Sequence, residues 1–403
     1  MYPTDRTVAS EEAGRRGVES APATATTPPV AEPVVAADLR LDASAVAYRL
    51  YDVGYEIHLE QASRLFGASD LDRARPVRGE ARAIAIPNLP VTLRLGPHSV
   101  TTPRGPLDVE ASARLFDFGV VSLRFEVRLA EAIGWQEYCA LGSALDVVHL
   151  APAFDTLLDK VMQRIGPAVD RPLPSPVTED YLVLRIDGLR DATGGAIAPR
   201  QLRDQDLAAL VLDEQRELSA VARRELLPHA FSYYADDLVL LSWDRALVIE
   251  PDVSNTDVEY VLEFANAQLL ELRLFDDILD RELRRVGARV AAARARSSLL
   301  FGRRFASLLA ELQSLVADTT ELVERAENAF RLTDDVYLAR VYSAALEIFR
   351  GRTWRAGIDR KLRFLSDTYS MLNAESQAAR AEALEVVITL LIVAELLLGI
   401  FRH

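Results

Sequence analysis

The chain has 403 residues, 50% of them hydrophobic and 26% charged, so it can build a sizeable core, and wholesale disorder is excluded. A net charge of −14 argues against a general nucleic-acid binder, which needs a broad cationic field. The single cysteine, Cys139, excludes an internal disulfide and a cysteine-based zinc site.

Residues 1–38 are dominated by Pro, Ala, Thr and Ser. They lack the apolar stretch of a secretory signal, and their acidic residues do not suit a mitochondrial transit peptide, so they predict a disordered tail. Lys160 and Lys361 are the only lysines, every other cationic side chain being Arg. With the abundance of Ala, this composition points to a high-GC bacterial genome.

Residues 39–255 mix strand and helix patterns and predict an α+β (α/β-type) domain. Strand-like runs lie at 81–95, 115–129 and 180–186, and 236–251 reads as a hairpin turning near Trp243-Asp244-Arg245. Helix-like runs lie at 55–67, 153–166 and 204–226, and RPLPSPVTED (171–180) reads as a loop. Cys139, within WQEYCALG, has no base beside it in sequence, and its residue type favours a buried structural thiol over a nucleophile.

The pattern changes at 256. Thr256 with Glu259 forms a capping box, and Val258, Leu262, Ala265, Leu269, Leu272, Asp276, Leu279, Leu283, Val286 and Val290 then make a coiled-coil-like seam with one polar position. A second seam runs from Phe305 to Ala329, and a third from about Leu332 through Ile358, Leu365 and Leu372. No proline follows Pro251, which leaves Gly287, Gly302, Gly351 and Gly357 as the places for breaks. Residues 256–381 therefore predict three long antiparallel helices, a stalk or bundle.

Residues 382–403, EALEVVITLLIVAELLLGIFRH, are either a membrane anchor or the last core helix of a bundle. From Leu384 to Phe401 a helix spans ~27 Å against a ~30 Å hydrocarbon core. Its thirteen Leu, Ile, Val and Phe residues contribute roughly −5 kcal/mol to insertion, and an acidic residue near the centre costs about 2.5–3.5. Apolar residues on all faces favour one C-terminal transmembrane helix, with Glu385 at the interface and Glu395 facing a partner.

These residues carry a resemblance. Trp354, Ile358, Lys361, Leu362, Tyr369, Leu372 and Asn373, followed by Leu384, Glu385, Ile388, Leu391, Ile392 and Glu395, resemble the C-terminal signature of the "required for meiotic nuclear division" family, a domain of unknown function. FDFGVVSLRFE (116–126) is similar to that family's F-x-x-G-x-V-V-F strand, and LEFANAQLLELRLFDDILD (262–280) to its A-x-x-Q helix. The clear part covers about the last 150 residues. The resemblance implies a single-pass membrane protein with a cytoplasmic body, in a family without established enzymatic activity. Mitochondrial relatives support translation at the inner membrane.

No phosphate-loop, dinucleotide or metal-ligand spacing occurs, so no catalytic, cofactor or metal residues are expected. Asp236-Asp237 and Asp334-Asp335 read as turn or cap residues, and Asp276-Asp277 as partly exposed helix positions. Residues 281–305 hold eight arginines against one glutamate. Either they pair with acidic residues of the next helix, or Arg294, Arg296, Arg303 and Arg304 form a patch for anionic lipid or RNA. The expected function is a membrane-anchored scaffold in the bacterial inner membrane. Its expected partners are the bilayer, a second copy through the stalk and the Glu395–Gly399 face, and a protein or ribosomal partner. The alternative is a regulatory or degenerate relative of CorA-type magnesium channels, since the second membrane helix and the G-M-N loop are missing.

Overall fold

The computed structural model describes residues 34, 36–66, 71–72, 89–172, 177–214, 216–226, 229–295, 310, 313–314, 317 and 335–401. The second predicted seam (305–329) lies almost wholly outside them, as do residues 1–33 of the tail. Val34 already pairs with Leu202, and Ala36 is buried, so the fold begins before residue 39.

Twelve strands form among the described residues: β1 (Arg40–Asp52), β2 (Gly54–Ile57), β3 (Leu71–Asp72), β4 (Val91–Thr102), β5 (Gly105–Leu115), β6 (Val120–Arg128), β7 (Ile133–Gly134), β8 (Val169–Pro172), β9 (Thr178–Arg190), β10 (Ala230–Phe231), β11 (Leu238–Leu241) and β12 (Arg245–Ile249). One sheet has the order β10-β11-β12-β9-β1-β6-β5-β4-β3, with β7 beside the start of β1, while β2 and β8 pair separately. Within the large sheet β9 and β12 run parallel and the other pairs antiparallel.

Helices cover both faces. Side chains alternate along β1, so Ala43, Ala45, Ala47 and Tyr51 enter one core while Val46, Tyr48 and Leu50 enter the other. The first core is closed by α2 (Trp135–Ala144), α3 (Val147–Ile165) and α4 (Asp204–Leu212), through Tyr138, Phe154 and Leu207 among others. The Tyr138 hydroxyl lies 2.7 Å from the Ser44 carbonyl and 2.9 Å from that of Arg185, tying α2 to the two central strands. The second core is closed by α6 (Asp257–Ala295) and α7 (Val336–Ile348). Two short helices, α1 (Leu59–Arg64) and α5 (Ala220–Leu226), complete the body.

Three expected helices differ. The 55–67 run starts as β2 and becomes helical only at Leu59, because Glu56 and Ile57 pair with β8. The 204–226 run breaks at Asp213, which takes a left-handed φ of 54° while its carboxylate accepts from Arg245 at 2.8 Å. The third seam is two helices. Arg350 adopts φ 55° after α7, and α8 (Gly351–Phe401) then starts in a new direction, leaving Phe349 buried edge-on against Tyr181. The break falls at one of the glycines named above. Gly287 and Gly357 stay helical, and a Cβ on Gly357 would lie 3.4 Å from Asp276 Oδ1.

The boundary at 255 falls just before α6, yet packing crosses it. The first turns of α6, from Val258 to Leu270, belong to the core on the sheet. Only beyond Phe275 does α6 leave the sheet and zip with α8, through Phe275, Leu279 and Val286 against Ile358, Leu365 and Leu372.

Candidate functional site: the central helix and the apolar end of α8

The side of α6 that meets the sheet is polar as well as buried. Glu259, Glu263, Asn266, Gln268 and Glu271 are all nearly inaccessible. Strands supply the opposite charges: Arg185 on β9 pairs with Glu259 and with Asp187 at 2.6 Å, and Arg114 on β5 pairs with Glu263. Between these strands Arg124 stands over the Tyr48 ring, 5.2 Å from its centroid. Burial raises the Glu259 carboxyl despite the opposing pull of Arg185. Such pairs lose much of their Coulomb energy to desolvation, so what they contribute above all is one register for α6 on the sheet. Glu259 is thus spent on Arg185, where the capping box had placed it at the helix start.

Further along, Arg273 pairs with Glu179, and burial pushes that carboxyl up to about 7 although Arg273 opposes it. Beside them Asp52, at the end of β1, hydrogen-bonds with Glu271, both under 7% exposed. The Tyr342 hydroxyl of α7 hydrogen-bonds Gln268, so the expected A-x-x-Q helix uses its glutamine to hold α7.

The signature residues make the α6–α8 zipper. Ile358 is fully buried, Tyr369 packs against the same apolar cluster further along α8, and Trp354 packs at the sheet core. Lys361 Nζ reaches Asp276 Oδ1 at 2.7 Å and Asp280 Oδ1 at 2.6 Å, which accounts for the polar seam position 276. Asn373 is half-buried one residue after Leu372. Gly119, in the F-x-x-G turn, has φ 96°, and a Cβ there would collide with the Gly54 carbonyl.

Among the arginine-rich residues, Arg281 pairs with Asp277 at 2.9 Å and Arg285 with Glu282 at 2.7 Å. Arg294 is on α6, while Arg296, Arg303 and Arg304 lie outside the described residues. Asp335 caps α7, accepting from Tyr337 N at 2.8 Å, and Asp237 accepts from Tyr233 N at 2.8 Å in a turn. Cys139 is half-buried on α2, and burial pushes its thiol up to about 11. Among the described residues no group of three or more His, Cys, Asp or Glu could hold a metal ion.

At the far end of α8, Leu384, Val386, Val387, Ile388, Leu390, Leu391, Ile392, Val393, Leu396 and Leu397 are each 46–64% exposed, around the whole helix. Glu385 and Glu395 are exposed among them, and Gly399 continues the helix. Among the described residues no single helix is long and apolar enough to cross a membrane. The part of this run with described side chains, 384–397, is ~21 Å long, itself shorter than a span. The bent pair α2 and α3 is together long and apolar enough for a span, but Tyr138, Leu150 and Phe154 bury it on the sheet.

Comparison with known proteins connects the sheet domain to relatives. The chain is 24% identical over 196 residues to the uncharacterized protein MJ0711 of Methanocaldococcus jannaschii, covering 49% of this chain and 59% of that protein. The chain thus spans less than two thirds of the length of this relative. No solved structure matches. The family model described as uncharacterized protein MJ0711, N-terminal domain, matches residues 42–256, from β1 through β12, and the chain belongs to that family.

Proposed function

We propose that the protein is a membrane-anchored, non-enzymatic scaffold of the "required for meiotic nuclear division" type. Its sheet domain would lie on the cytoplasmic side of a bacterial inner membrane, and α8 would lead into the bilayer. The observation that carries this reading is the ring of exposed Leu, Ile and Val side chains from Leu384 to Leu397. Being about half exposed, each leaves roughly 1 kcal/mol of burial unrealised in water, and their all-round distribution suits lipid better than one protein groove. The signature residues support it from the other end, because they pack and pair α8 against α6.

Alkaline extraction and liposome flotation test the anchor. The full chain should remain with membranes, and a chain ended at Asn373 should be soluble. Recovery of the full chain in the soluble fraction after gentle lysis would sink the reading. Glu395 would then face a second copy or a partner helix, and Glu395→Leu should change the oligomeric state in detergent. Co-sedimentation with ribosomes, compared with and without residues 294–304, tests Arg294, Arg296, Arg303 and Arg304 as an RNA or lipid patch.

The second reading is a regulatory or degenerate relative of CorA-type magnesium channels. It is favoured by the continuity of an α/β body, long helices and an apolar end. A melting temperature or oligomeric state that responds to Mg²⁺ would support it.

A further inference from the structure

The junction where α6 leaves the sheet is built around two acids, and among the described residues no base is dedicated to them. Asp52 ends β1, and Glu271 lies on α6 five residues before Asp276. They are 6% and 2% exposed and hydrogen-bond to each other, and the Gly54 N–H also donates to Asp52. The second oxygens, Asp52 Oδ1 and Glu271 Oε1, have no partner among the described residues.

The surrounding charges do not neutralise the pair. From β9, Glu179 faces this end of α6 and occupies Arg273, while Asp180 is turned to Arg49 at 3.3 Å. From the turn before β6, Asp117 acts on Tyr260. From α6, Arg273 is committed to Glu179, and the charge acting on Glu271 is that of Asp52. Further along, Lys361 of α8 is held by Asp276 and Asp280. Two ionised carboxylates in contact here would repel in an apolar setting, so the contact requires a proton.

We propose that the Asp52–Glu271 contact is a proton-linked joint, fastening the middle of α6 to the end of β1 while protonated and loosening that turn when both acids are ionised. Glu271 is the donor and Asp52 the acceptor. Loosening starts next to the α6–α8 zipper, so proton release at the sheet changes how firmly the helix pair is held. Burial pushes Asp52 up to about 7, and burial together with Asp52 raises Glu271 well above the usual range. Both exceed their unfolded values, so the docked state binds the extra protons. Its advantage is complete below the unfolded carboxyl range and is lost as pH rises through neutrality and beyond. The joint does not depend on the bilayer.

The test uses the full chain in detergent. Hydrogen exchange at residues 267–275, corrected for intrinsic rates, should show protection falling by up to about tenfold per pH unit from about pH 6 to about pH 8. Glu271→Gln supplies a permanent donor and should remove that pH dependence while circular dichroism stays unchanged. Infrared titration of the unaltered chain should show a buried protonated carboxyl at pH ~6. A folded Glu271→Gln variant with the original pH dependence overturns the joint, as does the absence of a protonated carboxyl in the unaltered chain. The infrared result decides the matter should the variant fail to fold.

Discussion

Gly119 shows how much one missing Cβ can hold in place. It combines a φ of 96° with direct contact on Gly54, and the chain crosses there through Val53 N to Gly119 O at 3.0 Å. Gly119→Ala should therefore cost about 3 kcal/mol or more, read as a shift in the denaturant midpoint, because it adds backbone strain to a collision. Lys361 is a milder case. Asp280 is 44% exposed, so solvent screens part of the attraction, and Lys361→Met should cost about 1 kcal/mol in thermal unfolding. Adding Asp276→Leu should recover stability, since the buried charge left behind is then gone.

At the scale of elements, α6 serves two interfaces of opposite chemistry. Its first half is keyed by charge to the sheet, and its second half is zipped by apolar side chains to α8. Leu365→Ala, at a fully buried zipper position, should destabilise the pair by about 2–4 kcal/mol. Hydrogen exchange should place that loss in residues 275–290 and 351–373, leaving β1 and β9 protected. The zipper was legible in sequence because apolar residues spaced three and four apart are a local signal. The 236–251 hairpin and the core of β9 are legible from another local signal, short apolar runs rich in Leu, Val and Ile. β1 escaped notice because Ala43, Ala45 and Ala47 carry little strand propensity, their role being to let α2 and α3 approach. WQEYCALGSA folds as α2 with little sequence signal, its ten residues carrying no clear apolar stripe. The ion pairs were hidden for a different reason, since Arg114 and Glu263 are 149 residues apart and no spacing rule joins them.

For the whole molecule, the family-matched segment 42–256 runs from within β1 through β12 and stops before the helices that cover one face. Expressed alone, it should aggregate on size-exclusion chromatography, because Val46, Tyr48, Leu50, Tyr181 and Val183 would face water. A chain continued to Arg350 keeps α6 and α7 and should elute as a folded species. The place of β1 in the sheet has a further consequence, for the time course of folding. Its neighbours are β6, roughly 80 residues on, and β9, roughly 140 residues on, so long loops must close before the sheet gains its central contacts. A nascent chain carries β1 without its second neighbour until β9 has left the ribosome. Folding of the body should accordingly be slow, on the order of milliseconds to seconds, leaving an apolar strand edge exposed to chaperones while synthesis continues.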